Sequence, residues 1–171
     1  SVLARREFLQ TGFYQPLQQA VVALLEEIKP TTVLDIGCGE GYYTSAMQAH
    51  SQQCIGVDIA KTAVQRAAKL NSNVAWVVAT GATLPVQDHS VDLCSSLFSP
   101  IPQQEIVRVL KNQGYFIVAV AAAKHLYAMR EALFEEVTLH DPEKIVQQLA
   151  AHFELKQSQV IEAPLQLDQQ A

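Results

Sequence analysis

Val33-Leu34-Asp35-Ile36-Gly37-Cys38-Gly39-Glu40-Gly41-Tyr42-Tyr43-Thr44 runs a short apolar stretch into three alternating glycines and then into residues at helical spacing. Strand, glycine turn and helix in that order describe a site built mainly from backbone. Glycine reaches main-chain conformations closed to other residues, and lacking a Cβ it lets a ligand approach closely. The spacing is G-x-G-x-G rather than the G-x-G-x-x-G that seats a pyrophosphate, and Tyr42 stands where the latter needs a third small residue for helix–strand packing. A bulky side chain there argues against a dinucleotide.

Working outward, Cys54-Ile55-Gly56-Val57-Asp58-Ile59 is a second apolar strand that ends in a carboxylate. Asp58 suits a ribose diol, because an ionised carboxylate accepts hydrogen bonds from both hydroxyls. With Asp35 at the end of the first strand and Glu40 in the loop, the pocket is rich in negative charge and favours a cation. S-adenosylmethionine, with a sulfonium, an ammonium and no phosphate, fits better than NAD. The competing reading makes Asp35 a cap of the turn and Asp58 a cap of the next helix.

After Pro30 the chain alternates strands and helices: Thr32–Ile36 then 42–50, Gln53–Asp58 then 61–70, Ala75–Ala79, Val91–Leu97, helix Gln103–Leu110 and strand Tyr115–Ala121, the last introduced by the turn Lys111-Asn112-Gln113-Gly114. Such alternation predicts an α/β fold, a Rossmann-like, doubly wound and mostly parallel sheet, with ligands at the carboxyl ends of the strands. Two helices precede the sheet, with a break at Thr11–Pro16. Beyond Ala123 the pattern predicts helices over Leu126–Glu136 and from Pro142 to about Ala151, then a strand over Phe153–Ile161.

The 171 residues, 49% of them hydrophobic, suffice for one domain with its own core, taken here as residues 1–171. No apolar run nears the roughly 20 residues that span a bilayer, and a cytoplasmic protein is expected. Cys38, Cys54 and Cys94 lie on or beside buried strands without a C-x-x-C pair, so buried free thiols are expected and no metal site. A net charge of −5 opposes broad electrostatic attraction to nucleic acid. Lys61, Arg66 and Lys69 read as a solvated helix face or an RNA contact.

With these pieces placed, the chain resembles the class I S-adenosylmethionine-dependent methyltransferases, and more narrowly the bacterial 23S ribosomal RNA guanine-N1 methyltransferases. The narrowing rests on Arg5-Arg6-x-Phe8-Leu9, Gly12-Phe13-Tyr14-Gln15-Pro16-Leu17, the unbroken glycine motif, and Lys124-His125-Leu126 followed by Glu136-Val137-x-Leu139-His140. The resemblance implies that Tyr14 and His125 contact the cofactor, that Gly39 and Glu40 hold its methionine end beside Gly37 and Gly41, and that Asp58 binds its ribose. As plain structure, Tyr14 would staple two helices and His125 would open one. Ala79-Thr80-Gly81-Ala82 stands where many relatives carry an acid against the adenine, which leaves that contact to backbone and apolar groups.

Family members begin with a four-ligand zinc module that grips RNA, and they extend past the present C-terminus with the last strand of a seven-stranded sheet. This chain reads as shortened at both ends. Where relatives carry an arginine and end in Tyr/Phe-Ala-Pro, it has Ser95-Ser96-Leu97-Phe98-Ser99-Pro100. Phe98, Ser99 and Pro100 are the candidate substrate pocket; Phe98 either stacks on the base or packs over the cofactor. No residue stands out as a general base. The resemblance implies methyl transfer to guanine N1 of ribosomal RNA. A small-molecule methyltransferase and a non-catalytic cofactor-binding domain are the rival readings. A missing last strand would leave 153–161 an open edge and invite homodimers.

Overall fold

A computed structural model describes residues 15–121 and 142–161. Its elements are α1 (Gln15–Ile28), β1 (Thr32–Ile36), α2 (Tyr42–Gln48), β2 (Gln53–Asp58), α3 (Lys61–Leu70), β3 (Ala75–Val78), β4 (Val91–Leu97), α4 (Gln103–Val109), β5 (Leu110–Ala119) and α5 (Pro142–Leu149). The fold is α/β, with every strand from β1 to β4 within a residue of its expected bounds. The chain forms two units, one of residues Gln18–Ala119 that holds the whole sheet and one that takes in the described residues 142–161.

The five strands are parallel in the order β3-β2-β1-β4-β5. Central strands of a parallel sheet are covered on both faces and so read as continuous apolar runs. Accordingly Val33, Leu34 and Ile36 of β1 are buried, as are Val91, Leu93, Cys94 and Leu97 of β4. Helices contribute one face each: Val21 and Leu25 from α1, Met47 from α2, Ala63, Val64 and Ala67 from α3, Ile106 and Val109 from α4. Helix α1 stops where Lys29 turns left-handed (φ 55°) ahead of Pro30, its amide bonded to the Leu25 carbonyl at 2.7 Å.

β5 begins earlier than expected because the ladder resumes on both sides of the anticipated turn. Val91 pairs with Leu110 and Leu93 with Tyr115, so residues 111–114 bulge opposite Asp92, with Gln113 at φ 64°. The excursion is tied down by Asp92, whose carboxylate accepts from the Thr32 amide at 2.9 Å and pairs with Lys111 at 3.2 Å.

The passage from β3 to β4 carries no helix. Arg108 of α4 holds it instead, donating to Glu105, Asp88 and the carbonyls of Leu84 and Val86 at 2.7–3.0 Å. Glu105 also accepts the Leu84 amide at 2.7 Å, and these donors hold its carboxyl below the ordinary carboxylate range, Arg108 foremost. The Asp88-His89 pair is the expected turn, His89 at φ 51° bonding its amide to the Arg108 carbonyl at 2.9 Å.

The strand expected over Phe153–Ile161 does not form, which corrects that reading. Alternating apolar residues make a strand only when a neighbour supplies the ladder and a surface to bury against. Leu155 and Val160 stay exposed, and among the described residues no strand pairs with them. Without a strand there, residues 153–161 offer no open sheet edge through which a second copy would pair. The helix of 142–149 does form, with Pro142 in its first turn and Ile145 buried.

Candidate functional site

Strand order reverses between β1 and β4, so the loops that leave their carboxyl ends part there and open a crevice. One wall is the β1–α2 loop. Gly37, Gly39 and Gly41 take φ of 73°, 57° and 87°, left-handed values at which a side chain would be strained. The loop folds toward the end of β2. Amides of Gly37 and Cys38 donate to the Val57 carbonyl at 2.8 and 3.0 Å, that of Gly39 to Asp58 Oδ2 at 2.8 Å, and that of Gly41 to the Cys38 carbonyl at 3.0 Å. A phosphate-binding loop turns such donors toward its ligand. Here four of them are already engaged within the protein, which disfavours a pyrophosphate.

Charge points the same way. Glu40 is 8% exposed in its side chain, and among the described residues neither of its carboxylate oxygens has a hydrogen-bond donor. Arg66 of α3 stands 3.7 Å from Oε1, near enough for attraction and too far for a hydrogen bond. A buried carboxylate with empty lone pairs is costly unless a donor-bearing cation arrives, and the ammonium of S-adenosylmethionine is such a group. Asp58 accepts from the Gly39 and Ala60 amides, one on each oxygen at 2.8 Å, so it ties the β1–α2 loop to the turn that leads into α3. A carboxylate has about four acceptor positions, so capacity remains for ribose hydroxyls. The residues present fit this cofactor: Glu40 would hold the positive end, Asp58 the sugar, and the glycines the close approach.

Asp35 lies beneath the loop. It is 2% exposed, and its two oxygens accept from Thr44 Oγ1 at 2.7 Å and Ser95 Oγ at 2.8 Å. It thereby fastens α2 and β4 to β1, and reaches the crevice only through the elements it holds. Burial pushes its carboxyl up to about 6 against the pull of the two hydroxyls, with Asp58 adding to the rise. Cys38, Cys54 and Cys94 are free and buried as expected; burial first, and the Asp35 charge second, push the thiols of Cys54 and Cys94 up to about 12 and that of Cys38 higher still. They remain protonated and inert.

The opposite wall is the β4–α4 loop. Phe98 and Ser99 are half-buried and Pro100 is exposed. Ser99 Oγ donates to the Ile36 carbonyl at 3.0 Å, and a Cβ on Gly37 would fall 2.4 Å from Ser99 Cβ. Gly37 therefore lacks a side chain because the second loop occupies the space. Gly81 follows the same logic more loosely, its would-be Cβ 3.2 Å from Pro102 and 3.7 Å from Ile36. Tyr14 and His125 lie outside the described residues.

Trp76 is a residue that motif reading misses. Its ring fills the space above two glycines, for a Cβ would come 2.4 Å from it at Gly41 and 2.8 Å at Gly56. Its indole N–H donates to the Asn71 carbonyl at 2.6 Å. The only signal was indirect: a lone tryptophan one strand away from Gly56, a glycine inside a strand that no turn explains.

Residues 34–118 match the family of methyltransferase domains. The crystal structure of the YcgJ protein from Bacillus subtilis superposes with a TM-score of 0.66 over 78% of this chain and 66% of that one, at 23% identity, a likeness of fold. The chain carries a methyltransferase domain over residues 34–118, and its fold is that of the class I S-adenosylmethionine-dependent methyltransferases. Within that class it resembles the bacterial 23S ribosomal RNA guanine-N1 methyltransferases. It is 30% identical over 178 residues to the 23S rRNA (guanine(748)-N(1))-methyltransferase of Streptomyces fradiae, covering 99% of this chain and 64% of the relative. To a Bacillus subtilis protein whose name proposes guanine-N1 activity on 23S rRNA it is 32% identical over 136 residues, covering 74% of this chain and 48% of the relative. The chain thus spans about half to two thirds of the length of these relatives.

Proposed function

We propose that the protein transfers a methyl group from S-adenosylmethionine to N1 of a guanine in 23S ribosomal RNA, working in the cytoplasm. The observation that carries the cofactor half is the buried carboxylate of Glu40, without a donor among the described residues, in a loop whose glycine amides are already engaged within the protein. The acceptor half is supported by similarity along 99% of the chain to a guanine-N1 enzyme.

When bound, the cofactor supplies an electrophilic methyl on a sulfonium. The chain's own contribution is positioning, since holding two reactants in a near-attack geometry lowers a barrier by roughly 7–11 kcal/mol without a strong acid or base. Glu40 attracts the cation, Asp58 anchors the sugar, and the turn after β4 faces the loop of β1 across the switch point. The acceptor base must leave its stack to enter the crevice. Its N1 proton departs as the new N–C bond forms, passing to water or a base on the substrate side. Asp35, although its carboxyl titrates near 6, is sealed below the loop with both oxygens bonded and is not that base.

Net charge of −5 favours a second reading, a small-molecule acceptor, because an acidic chain gathers RNA poorly. Two measurements separate the outcomes. Calorimetry should show binding of S-adenosylmethionine and none of NAD. Tritiated methyl should then pass to unmodified 23S ribosomal RNA rather than to a metabolite extract. Transfer to the extract alone supports the second reading, and tight cofactor binding without transfer to either leaves a binding domain.

A further inference from the structure

Gly39, Glu40 and Gly41 are each met by a different part of the chain. The Gly39 amide donates to Asp58 Oδ2 at 2.8 Å, and Asp58 Oδ1 takes the Ala60 amide, just ahead of α3, at 2.8 Å. Glu40 faces Arg66, about midway along α3, at 3.7 Å. Gly41 faces Trp76 of β3, where a Cβ would lie 2.4 Å from Cη2 of the indole and 3.0 Å from Cζ3.

The indole crosses a neighbouring strand to get there. Trp76 pairs with Gly56 in the parallel ladder of β2 and β3. Because Gly56 has no side chain the ring lies across it, in space where a Cβ would meet Cε3 and Cζ3 at 2.8 Å. The ring is also fastened by its nitrogen, for Nε1 donates at 2.6 Å to the carbonyl of Asn71, the residue that ends α3. Asn71 is itself held, its amide bonded to the Ala67 carbonyl at 3.0 Å. A flat ring pinned by its N–H and packed on two glycines makes a stiff strut. It bears on Gly41 at the start of α2, where the backbone is at φ 87° and a glycine loop has little stiffness of its own.

We propose that Trp76 is a positioning residue for the amino-acid end of the cofactor: by bearing on Gly41 it fixes where the Glu40 carboxylate stands. This rests on the reading of Glu40 as the group that receives the ammonium. Asp58 holds the same loop through Gly39 on the side of the sugar, so the two props serve opposite ends of one ligand. Loss of the indole is felt at one end only.

Calorimetry on the full chain compares wild type, W76F, E40Q and the double variant. The ligands are S-adenosylhomocysteine, which carries the ammonium, and adenosine, which does not. Phenylalanine keeps an aromatic ring on β3 but lacks the N–H and the outer edge of the indole. W76F should bind S-adenosylhomocysteine about tenfold more weakly, with adenosine unchanged. In the E40Q background the same substitution should cost nothing further, because the ring acts through that carboxylate. A measurement on wild type needs no substitution: emission of Trp76, the single tryptophan, should shift on saturation with S-adenosylhomocysteine and stay put with adenosine. Equal losses for both ligands in W76F, losses that add to those of E40Q, or an emission indifferent to S-adenosylhomocysteine would overturn the proposal while leaving the cofactor reading intact. Wild type that binds neither ligand would overturn both.

Discussion

Replacing Asp35 by asparagine should stabilise the protein relative to wild type as pH rises. Burial lifts the Asp35 carboxyl from 3.8, its value in an open chain, to about 6. Between those two values the folded state holds a proton that the unfolded state has released. A raised carboxyl pKa therefore contributes stability that is complete below 3.8 and is lost as pH climbs through about 6. The difference of some two units, at about 1.4 kcal/mol each, makes the ionised Asp35 a burden of about 3 kcal/mol at pH 7.

Asparagine carries no charge, and the hydroxyls of Thr44 and Ser95 can turn to serve one amide oxygen and one amide nitrogen. Urea unfolding followed by the fluorescence of Trp76, the single tryptophan, gives the stability difference between variant and wild type at steps from about pH 4 to 8. That difference should move in favour of the variant by up to about 3 kcal/mol across the range. A flat difference, or one that moves toward wild type with rising pH, would mean the two hydroxyls outweigh burial, and the reasoning would fail.

Gly37→Ala combines left-handed strain, worth roughly 1–2 kcal/mol, with displacement of Ser99, so thermal melting should fall by several degrees and cofactor affinity with it. Glu40→Gln should weaken S-adenosylmethionine in calorimetry by about tenfold while leaving adenosine, which has no cationic group, unchanged; equal losses for both would remove charge as the cause. Asp58→Ala should abolish measurable cofactor binding and loosen the loop, visible as faster amide exchange at Gly39. Trp76→Ala opens a void over Gly41 and Gly56 and should cost roughly 3–5 kcal/mol in urea unfolding.

The glycine loop and Asp58 were legible from sequence because local conformational demand dictates residue type there: three residues at φ between 57° and 87°, and a carboxylate at a strand end. The alternation of strands and helices was legible for the same local reason. Contacts between segments far apart in sequence left no such mark. Ser99 against Gly37, Trp76 against Gly41 and Gly56, and the Arg108 web across residues 84–88 each join residues whose separation carries no period. Asp35 was read as facing the ligand because its place at the strand end is right; only the register opposite Gly56 and Ser95 shows it enclosed. The strand over 153–161 failed since alternation without a partner describes a surface as readily as an edge.

The bond from the Gly39 amide to the Asp58 carboxylate means that the crevice takes its shape from the protein's own second strand before anything enters it. Little ordering is then left for arrival to accomplish, and recognition is closer to a finished mould than to a closing hand. A methyl donor stripped of its sugar hydroxyls would meet the same contour, losing only what those hydroxyls contribute.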